Sequence, residues 1–187
     1  MEKRLGGVQD PVVQAAVVRG QMTPLTAGRD PQGGGPGPGI ETPLLCSSCL
    51  LGIKCRYDGE GKTHPRTTPE LIRLMRAGLV VPVCPEQLGG LPTPRAPASV
   101  VGGDGGDVLD GKARVLTVDG DDVTSSFLRG AHEVLSIARM AGCRNAVLKS
   151  KSPSCGSGSA VGGVLGVTAA LLKREGISTR DEDSFSP

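Results

Sequence analysis

Three cysteine-bearing segments hold the residues of this sequence that are best suited to chemistry. They read CLLGIKCRYDG, VPVCPEQLGGLPTPR and LKSKSPSCGSG, and they place Cys49, Cys84 and Cys155 in loops rich in Gly, Pro, Ser and charged residues. Three thiolates from three separate loops can bind one metal centre and leave a coordination position open. That open position would separate a catalytic centre from a structural one.

The spacing of the three cysteines restricts the kind of metal site. They lie tens of residues apart, whereas zinc fingers and ribbons use close pairs. Cys46 and Cys49 form one C-x-x-C pair, but no second pair accompanies it, and no helix signal follows as a thioredoxin-type motif requires. Soft thiolates select iron–sulfur clusters, zinc or copper(I), and spacing alone leaves these alternatives open. A cubane cluster bound by only three thiolates has one iron free for substrate.

The remaining cysteines and both histidines are weaker candidates for ligands. Cys143 lies between a predicted helix and a predicted strand, where a small buried apolar residue is the expected role. Cys46 and Cys55 are interpreted either as core residues or as supporting groups near the site. His64 and His132 belong to no ligand-like pair, and both are expected at the surface.

Polar residues beside the cysteines are candidates for proton transfer and substrate binding. Glu86 follows Cys84 by two positions and can act as a general acid or base, or else cap a loop amide. Ser152 precedes Cys155 by three positions and can hold or protonate a substrate, or else form a turn hydrogen bond. Positive charges nearby can balance an anionic cluster or be solvated at the surface; they belong to Arg56, Arg95, Lys149 and Lys151.

The elements that position these loops form an alternating pattern of strands and helices. Strands are predicted at about 43–46, 79–83, 113–118 and 145–149, with a last one beginning at 177; helices are predicted at about 67–77, 121–141 and 163–175, and a surface excursion at 100–112. This pattern predicts a single α/β domain with a mostly parallel, Rossmann-like sheet covered by helices. Such sheets bind ligands beyond the carboxyl ends of their strands. Each of the three cysteines follows a predicted strand, so all three are expected at one edge of the sheet.

Composition sets the boundaries of the domain and excludes several partners. The Gly/Pro-rich stretch 1–41 contains PQGGGPGPG and is predicted to be a flexible, disordered extension, which leaves 42–187 as the folded domain. A net charge of +2 indicates no charged partner, and Trp 0, Tyr 1 and Phe 2 are too few to stack nucleic-acid bases. The apolar runs are too short to span a membrane, and no apolar segment follows the basic start. We therefore expect a cytoplasmic protein, in which cysteines act as ligands, catalytic thiols or core residues rather than disulfides.

Together, the three motifs resemble the TudS-like thiouracil desulfidase family, small bacterial proteins long known only as a domain of unknown function. The similarity extends from about 44 to 177 and includes GVTAALLKREGI. The resemblance implies a [4Fe–4S] cluster held by Cys49, Cys84 and Cys155, with Glu86 and Ser152 as catalytic residues. It also implies an enzyme that removes sulfur without redox chemistry from a thiolated nucleobase such as 2-thiouracil, giving the oxo base and hydrogen sulfide. The expected partner is thus a small thiolated substrate, bound through its sulfur at the free iron.

Two other functions remain compatible with the sequence. One is a sulfur-handling protein that carries the same cluster without desulfidase turnover. The other is a zinc-stabilised binding module. Cys46 is an additional thiol that departs from the family motif, either as a spare ligand or as an inert residue.

Overall fold

The computed structural model describes residues 42–158 and 164–185. The predicted extension 1–41 lies outside these described residues. None of the helices in the described part of the chain has the length and apolar character needed to cross a bilayer.

Six strands and five helices make up the described fold. The strands are β1 Leu44–Ser47, β2 Val80–Val83, β3 Ala98–Val101, β4 Arg114–Thr117, β5 Asn145–Leu148 and β6 Ser178–Asp181. The helices are α1 Thr67–Arg76, α2 Pro85–Leu88, α3 Gly105–Leu109, α4 Thr124–Met140 and α5 Val167–Arg174, and a 3-10 turn covers Ser48–Leu51. The predicted beginning of the last helix, at 163, falls outside the described residues.

Four of the strands form a parallel sheet in the order β2-β1-β5-β6. At its centre Cys46 of β1 aligns with Pro82 of β2 on one side and with Val147 of β5 on the other. All four residues of β1 are buried, as expected for a strand covered on both faces. The predicted α/β fold with a mostly parallel sheet is confirmed.

The segment between α2 and α4 differs from the sequence prediction. The predicted strand at 113–118 exists as β4, but β4 pairs antiparallel with β3 in a separate two-stranded sheet. The supposed surface excursion at 100–112 contains the end of β3 and all of α3. A capping box begins α3, because Asp104 accepts the N–H of Asp107 while the Asp107 carboxylate accepts the N–H of Asp104. The surrounding glycines have low helix propensity, so the sequence did not predict that a helix begins here.

Helix α4 packs closely enough on α2 to fix where α2 begins. The apolar stripe predicted for α4 is buried in the larger core, through Phe127, Ala131, Val134, Leu135 and Ala138. A Cβ placed on Gly130 would lie 1.9 Å from the carbonyl oxygen of Pro85. No side chain fits in that gap, so glycine at this position lets α4 contact the first turn of α2 directly. This contact holds the segment that carries Cys84 and Glu86.

The expected surface position of His64 is wrong. The residue is partly buried, and its Nδ1 accepts the backbone N–H of Thr67 at 3.2 Å, in the first turn of α1. Its Nε2 lies 3.3 Å from the carboxylate of Asp183. His64 therefore helps to cap α1, whereas His132 is exposed as expected.

Candidate metal centre

The three cysteine loops converge at the carboxyl ends of three neighbouring strands. Cys49 lies in the 3-10 turn that follows β1, Cys84 directly follows β2, and Cys155 lies in the loop that follows β5. Because these strands are parallel and adjacent, their carboxyl ends share one edge of the sheet. All three cysteines line one cavity of about 410 Å³. The predicted convergence is confirmed.

A fourth thiol, that of Cys55, lines the same cavity. Cys55 is buried and lines the cavity beside Cys49 and Cys84, and the thiol of Cys84 lies 3.6 Å from the carbonyl oxygen of Cys55. The sequence prediction left Cys55 between a core role and a supporting role. The repetition of cysteine within CLLGIKC was the only sequence signal for its position, since both cysteines bracket one short loop.

The surroundings of Cys55, Cys84 and Cys155 raise the pKa of each of these cavity thiols. The hydrogen bond with Cys49, ahead of burial, raises the pKa of Cys55 to about 11. Burial raises the pKa of Cys155 to about 12, against an opposing hydrogen bond from Ser47. A hydrogen bond with Cys55, followed by burial, raises the pKa of Cys84 far above its ordinary value. A metal centre would have to supply the positive charge that ionises these thiols.

Glu86 lines the cavity from the first turn of α2, and its carboxylate forms an ion pair with Arg95. The Nε and Nη2 atoms of Arg95 lie 2.7 and 2.6 Å from the same carboxylate oxygen, Oε2. The side chain of Glu86 is only 16% exposed and that of Arg95 only 6%, so solvent screens this pair weakly. Among the described residues no hydrogen bond reaches the second oxygen, Oε1, which leaves it available to a group in the cavity.

Ser152 forms the turn hydrogen bonds that the sequence left as one alternative, and its role toward a substrate stays a prediction. Its Oγ accepts the backbone N–H groups of Ser154 at 3.3 Å and Cys155 at 3.1 Å, which is a turn-forming arrangement. Ser152 also lines the cavity. Because its lone pairs point at the backbone of the loop, its hydroxyl proton is the part left to face a cavity ligand.

Three of the four basic residues noted in the sequence are already paired with carboxylates. Arg56 lies 2.9 Å from Asp58, Arg95 binds Glu86, and Lys149 binds Glu182. Lys151 is exposed and has a left-handed backbone conformation with φ of 53°, which is uncommon outside glycine. The positive charge at the cavity is therefore mostly compensated by the protein itself.

The other two cysteines lie outside the cavity lining. Cys46 is fully buried in the centre of the sheet, and burial raises its pKa to about 12. Cys143 packs in the larger core, as predicted. The cavity residues that lie outside the three cysteine motifs are Ser47, Ser48, Lys62, Pro97 and Ala98. They carry no chemical signature in the sequence, and only the path of the backbone brings them together.

The donor set of the cavity fits an iron–sulfur cluster. The described residues contain no group of three His, Cys, Asp or Glu side chains gathered as they would be around a single metal ion. In a cubane each thiolate binds a different iron, so its ligands stand further apart than those of one ion. Thiols from three strand ends line this cavity, and thiolates are the ligands that iron–sulfur clusters take.

Comparison with known proteins gives three matches. The family model of 2-thiouracil desulfurases matches residues 44–184. The uncharacterised protein YbbK of Bacillus subtilis is 41% identical over 151 residues, which cover 76% of this chain and 97% of that protein. The solved structure of the [4Fe-4S]-dependent thiouracil desulfidase TudS is 38% identical, with a TM-score of 0.67, over 78% of this chain and 93% of that one.

Proposed function

Because the chain belongs to the 2-thiouracil desulfurase family, we propose that it is a [4Fe–4S]-dependent desulfidase acting on a thiolated nucleobase such as 2-thiouracil. The products would be the oxo base and hydrogen sulfide. The observation that carries this proposal is the convergence of Cys49, Cys84 and Cys155 with Glu86 in one cavity. A similar solved structure, that of a [4Fe-4S]-dependent thiouracil desulfidase, supports it.

In this proposal Cys49, Cys84 and Cys155 hold the cluster. When bound, the cluster supplies a Lewis-acidic iron that no protein thiolate occupies and to which a substrate sulfur can bind. The three thiols come from separate strand ends of a buried sheet, so their positions are set by the fold before the cluster binds. Cys55 is given no ligand role, although it lines the same cavity as the three proposed ligands.

Glu86 is the proposed proton carrier. Replacing a thiocarbonyl sulfur by the oxygen of water moves two protons from water to the departing sulfur. The free Oε1 of Glu86 can accept a proton from water and return it to sulfur, while Oε2 stays bound to Arg95. No net oxidation or reduction accompanies this exchange, so no electron donor is required.

Ser152 is the proposed orienting residue. Its oxygen is fixed by the backbone N–H groups of Ser154 and Cys155, and its hydroxyl proton can be donated to a heteroatom of the substrate ring. The donor lies three residues before a proposed ligand. Substrate orientation and cluster geometry would then depend on the same turn.

We place this reaction in the cytoplasm. All six cysteines are free thiols, and a reducing compartment keeps them so. An iron–sulfur cluster with an open iron also requires protection from oxidants.

The test is anaerobic reconstitution followed by turnover. Protein purified without oxygen should be brown and contain iron and labile sulfide; incubated with 2-thiouracil, it should release uracil and sulfide in equal amounts. Protein that binds zinc but no iron after reconstitution would reject the cluster and favour the zinc-stabilised binding module. Cluster-loaded protein that releases nothing above the cluster-free control would favour a sulfur-handling role without turnover.

A further inference from the structure

Each nitrogen of the Arg95 side chain is engaged by the protein. Nε donates to Oε2 of Glu86, and Nη2 donates to the carbonyl oxygen of Cys55 at 3.1 Å while it also lies 2.6 Å from Oε2 as an ion pair. Nη1 donates to the carbonyl oxygen of Pro92 at 3.0 Å and to Oγ1 of Thr93 at 3.1 Å. The guanidinium group therefore directs its donors at the protein rather than at a ligand in the cavity.

We propose that Arg95 is a positioning residue for the desulfidase reaction, acting through Glu86 rather than on the substrate. This inference rests on the proposed function. The fork holds one carboxylate oxygen from two directions and thereby fixes the rotation of the carboxyl group. The contacts with Arg95 thereby fix the orientation of the remaining oxygen, Oε1. The rate of proton transfer depends on that orientation.

The same guanidinium connects the carboxylate to the thiol loop. The carbonyl oxygen of Cys55, bound by Nη2 of Arg95, also lies 3.6 Å from the thiol of Cys84. The backbone N–H of Arg95 donates to the carbonyl oxygen of Tyr57 at 2.9 Å, which ties down the next turn of that loop. Arg95 thus holds Glu86, the proposed proton carrier, and the Cys55 loop at the edge of the proposed cluster site in fixed positions relative to each other.

Lysine cannot reproduce this arrangement. An ammonium group is a point charge with three donors, and it lacks the planar fork that meets Glu86 and Cys55 together. Arg95→Lys therefore keeps the positive charge beside Glu86 while it releases the rotation of the carboxylate. This difference separates positioning from simple charge compensation.

The experiment is a double-mutant cycle on cluster-loaded protein, with Arg95→Lys, Glu86→Gln and the double variant, assayed on 2-thiouracil. Arg95→Lys should lower kcat by about 10- to 100-fold at unchanged KM, with iron and sulfide content as in the wild type. In the Glu86→Gln background the same change should cost less than about 2-fold, because its effect passes through Glu86. Equal losses in both backgrounds, or wild-type kcat in Arg95→Lys, would overturn the proposal.

A second variant covers the case in which Arg95→Lys fails to fold or to bind iron. Glu86→Asp keeps both charges but draws the carboxylate back by one methylene, out of the fork. Its kcat should fall as steeply, and the Nε–H resonance of Arg95 in ¹⁵N NMR should lose the shift caused by its carboxylate hydrogen bond. Full activity in Glu86→Asp would overturn the role of Arg95. Wild-type holoprotein that is inactive on thiolated pyrimidines would instead reject the proposed function itself, and the positioning role with it.

Discussion

The carboxylate of Glu182 binds the ammonium group of Lys149 and also accepts both hydrogen-bond donors of Ser150. It accepts the Ser150 backbone N–H at 2.7 Å and the Ser150 hydroxyl at 2.9 Å. The remaining donors of Lys149 go to the carbonyl and hydroxyl oxygens of Ser150, both at 3.0 Å. Lys149 and Ser150 line the cavity, but Glu182 does not. A residue at the end of the described chain therefore fixes the segment that leads from β5 to Cys155.

Glu182→Gln should destabilise the cluster-free protein, and more so at neutral than at acidic pH. Burial alone would raise the pKa of Glu182, but the hydrogen bonds from Lys149 and Ser150 hold it below its ordinary value. A lowered pKa gives stability that is present above about pH 4.3 and is lost as pH falls through the folded-state value. Urea unfolding should show a loss of about 2 kcal/mol at pH 7 that shrinks below pH ~4.

The control for this change is Glu175→Gln. Glu175 pairs with Arg139 at the surface, where an ion pair contributes about 0.5 kcal/mol or less. A loss at pH 4 as large as that at pH 7 in Glu182→Gln would contradict the assignment of the stability to the charged carboxylate.

Single replacement of Cys49, Cys84 or Cys155 by Ala should abolish cluster binding. Each removes one of only three proposed thiolate ligands, and a cubane with two protein ligands is readily lost. Iron and labile sulfide per protein, measured after anaerobic reconstitution, give the result. Cys143→Ala is the matched control, because this buried thiol packs in the larger core and should leave iron content unchanged. Iron loss in Cys143→Ala would show that the ligand assignment is wrong.

Cys55→Ser should retain iron and sulfide at wild-type content. Cys55 lines the cavity beside the proposed ligands, and serine keeps the hydrogen-bonding capacity of its side chain without the affinity of a thiol for iron. Should Cys55→Ser fail to bind a cluster while one of the three alanine variants still does, Cys55 would take the place of that residue in the ligand set.

Glu86→Gln should keep the cluster and lower kcat on 2-thiouracil by about 10²- to 10⁴-fold, the usual contribution of a general acid or base. The amide keeps the shape of the side chain but cannot carry a proton. Glu70→Gln provides a control, because Glu70 pairs with Arg73 on α1 and does not line the cavity. Loss of iron in Glu86→Gln would assign Glu86 a structural role.

The main sheet and its long helices could be predicted because their signals are local. β2 is a short apolar run that leads directly into Cys84, and α4 repeats its apolar residues at helical spacing. Three strands of the sheet, β1, β2 and β5, also precede the cysteines of the three motifs. The alternation of strands and helices predicts a parallel sheet. Because the carboxyl ends of parallel strands lie at one edge of a sheet, the meeting of the three cysteines at that edge could be predicted.

The β3–α3–β4 segment and the details of the site could not be predicted in the same way. β3 could not be recognised in the sequence, because the segment is a strand only through its pairing with β4. The glycines on either side of Asp104 are poor helix formers, so the start of α3 could not be recognised in the sequence either. Nothing local indicates that Arg95 binds Glu86 rather than solvent or a cluster. The contact between Arg95 and Glu86 depends on a turn through Pro92 and Thr93, which brings Arg95 back to helix α2.

The strand order β2-β1-β5 determines when the protein can acquire its cofactor. Cys49 and Cys155 are separated by roughly a hundred residues, and they become neighbours only after β5 has joined β1. A nascent chain still lacking β5 offers an iron–sulfur donor two of the three strand ends. We therefore expect cluster delivery to follow the pairing of β5 with β1, so that the sheet forms before the cofactor is bound.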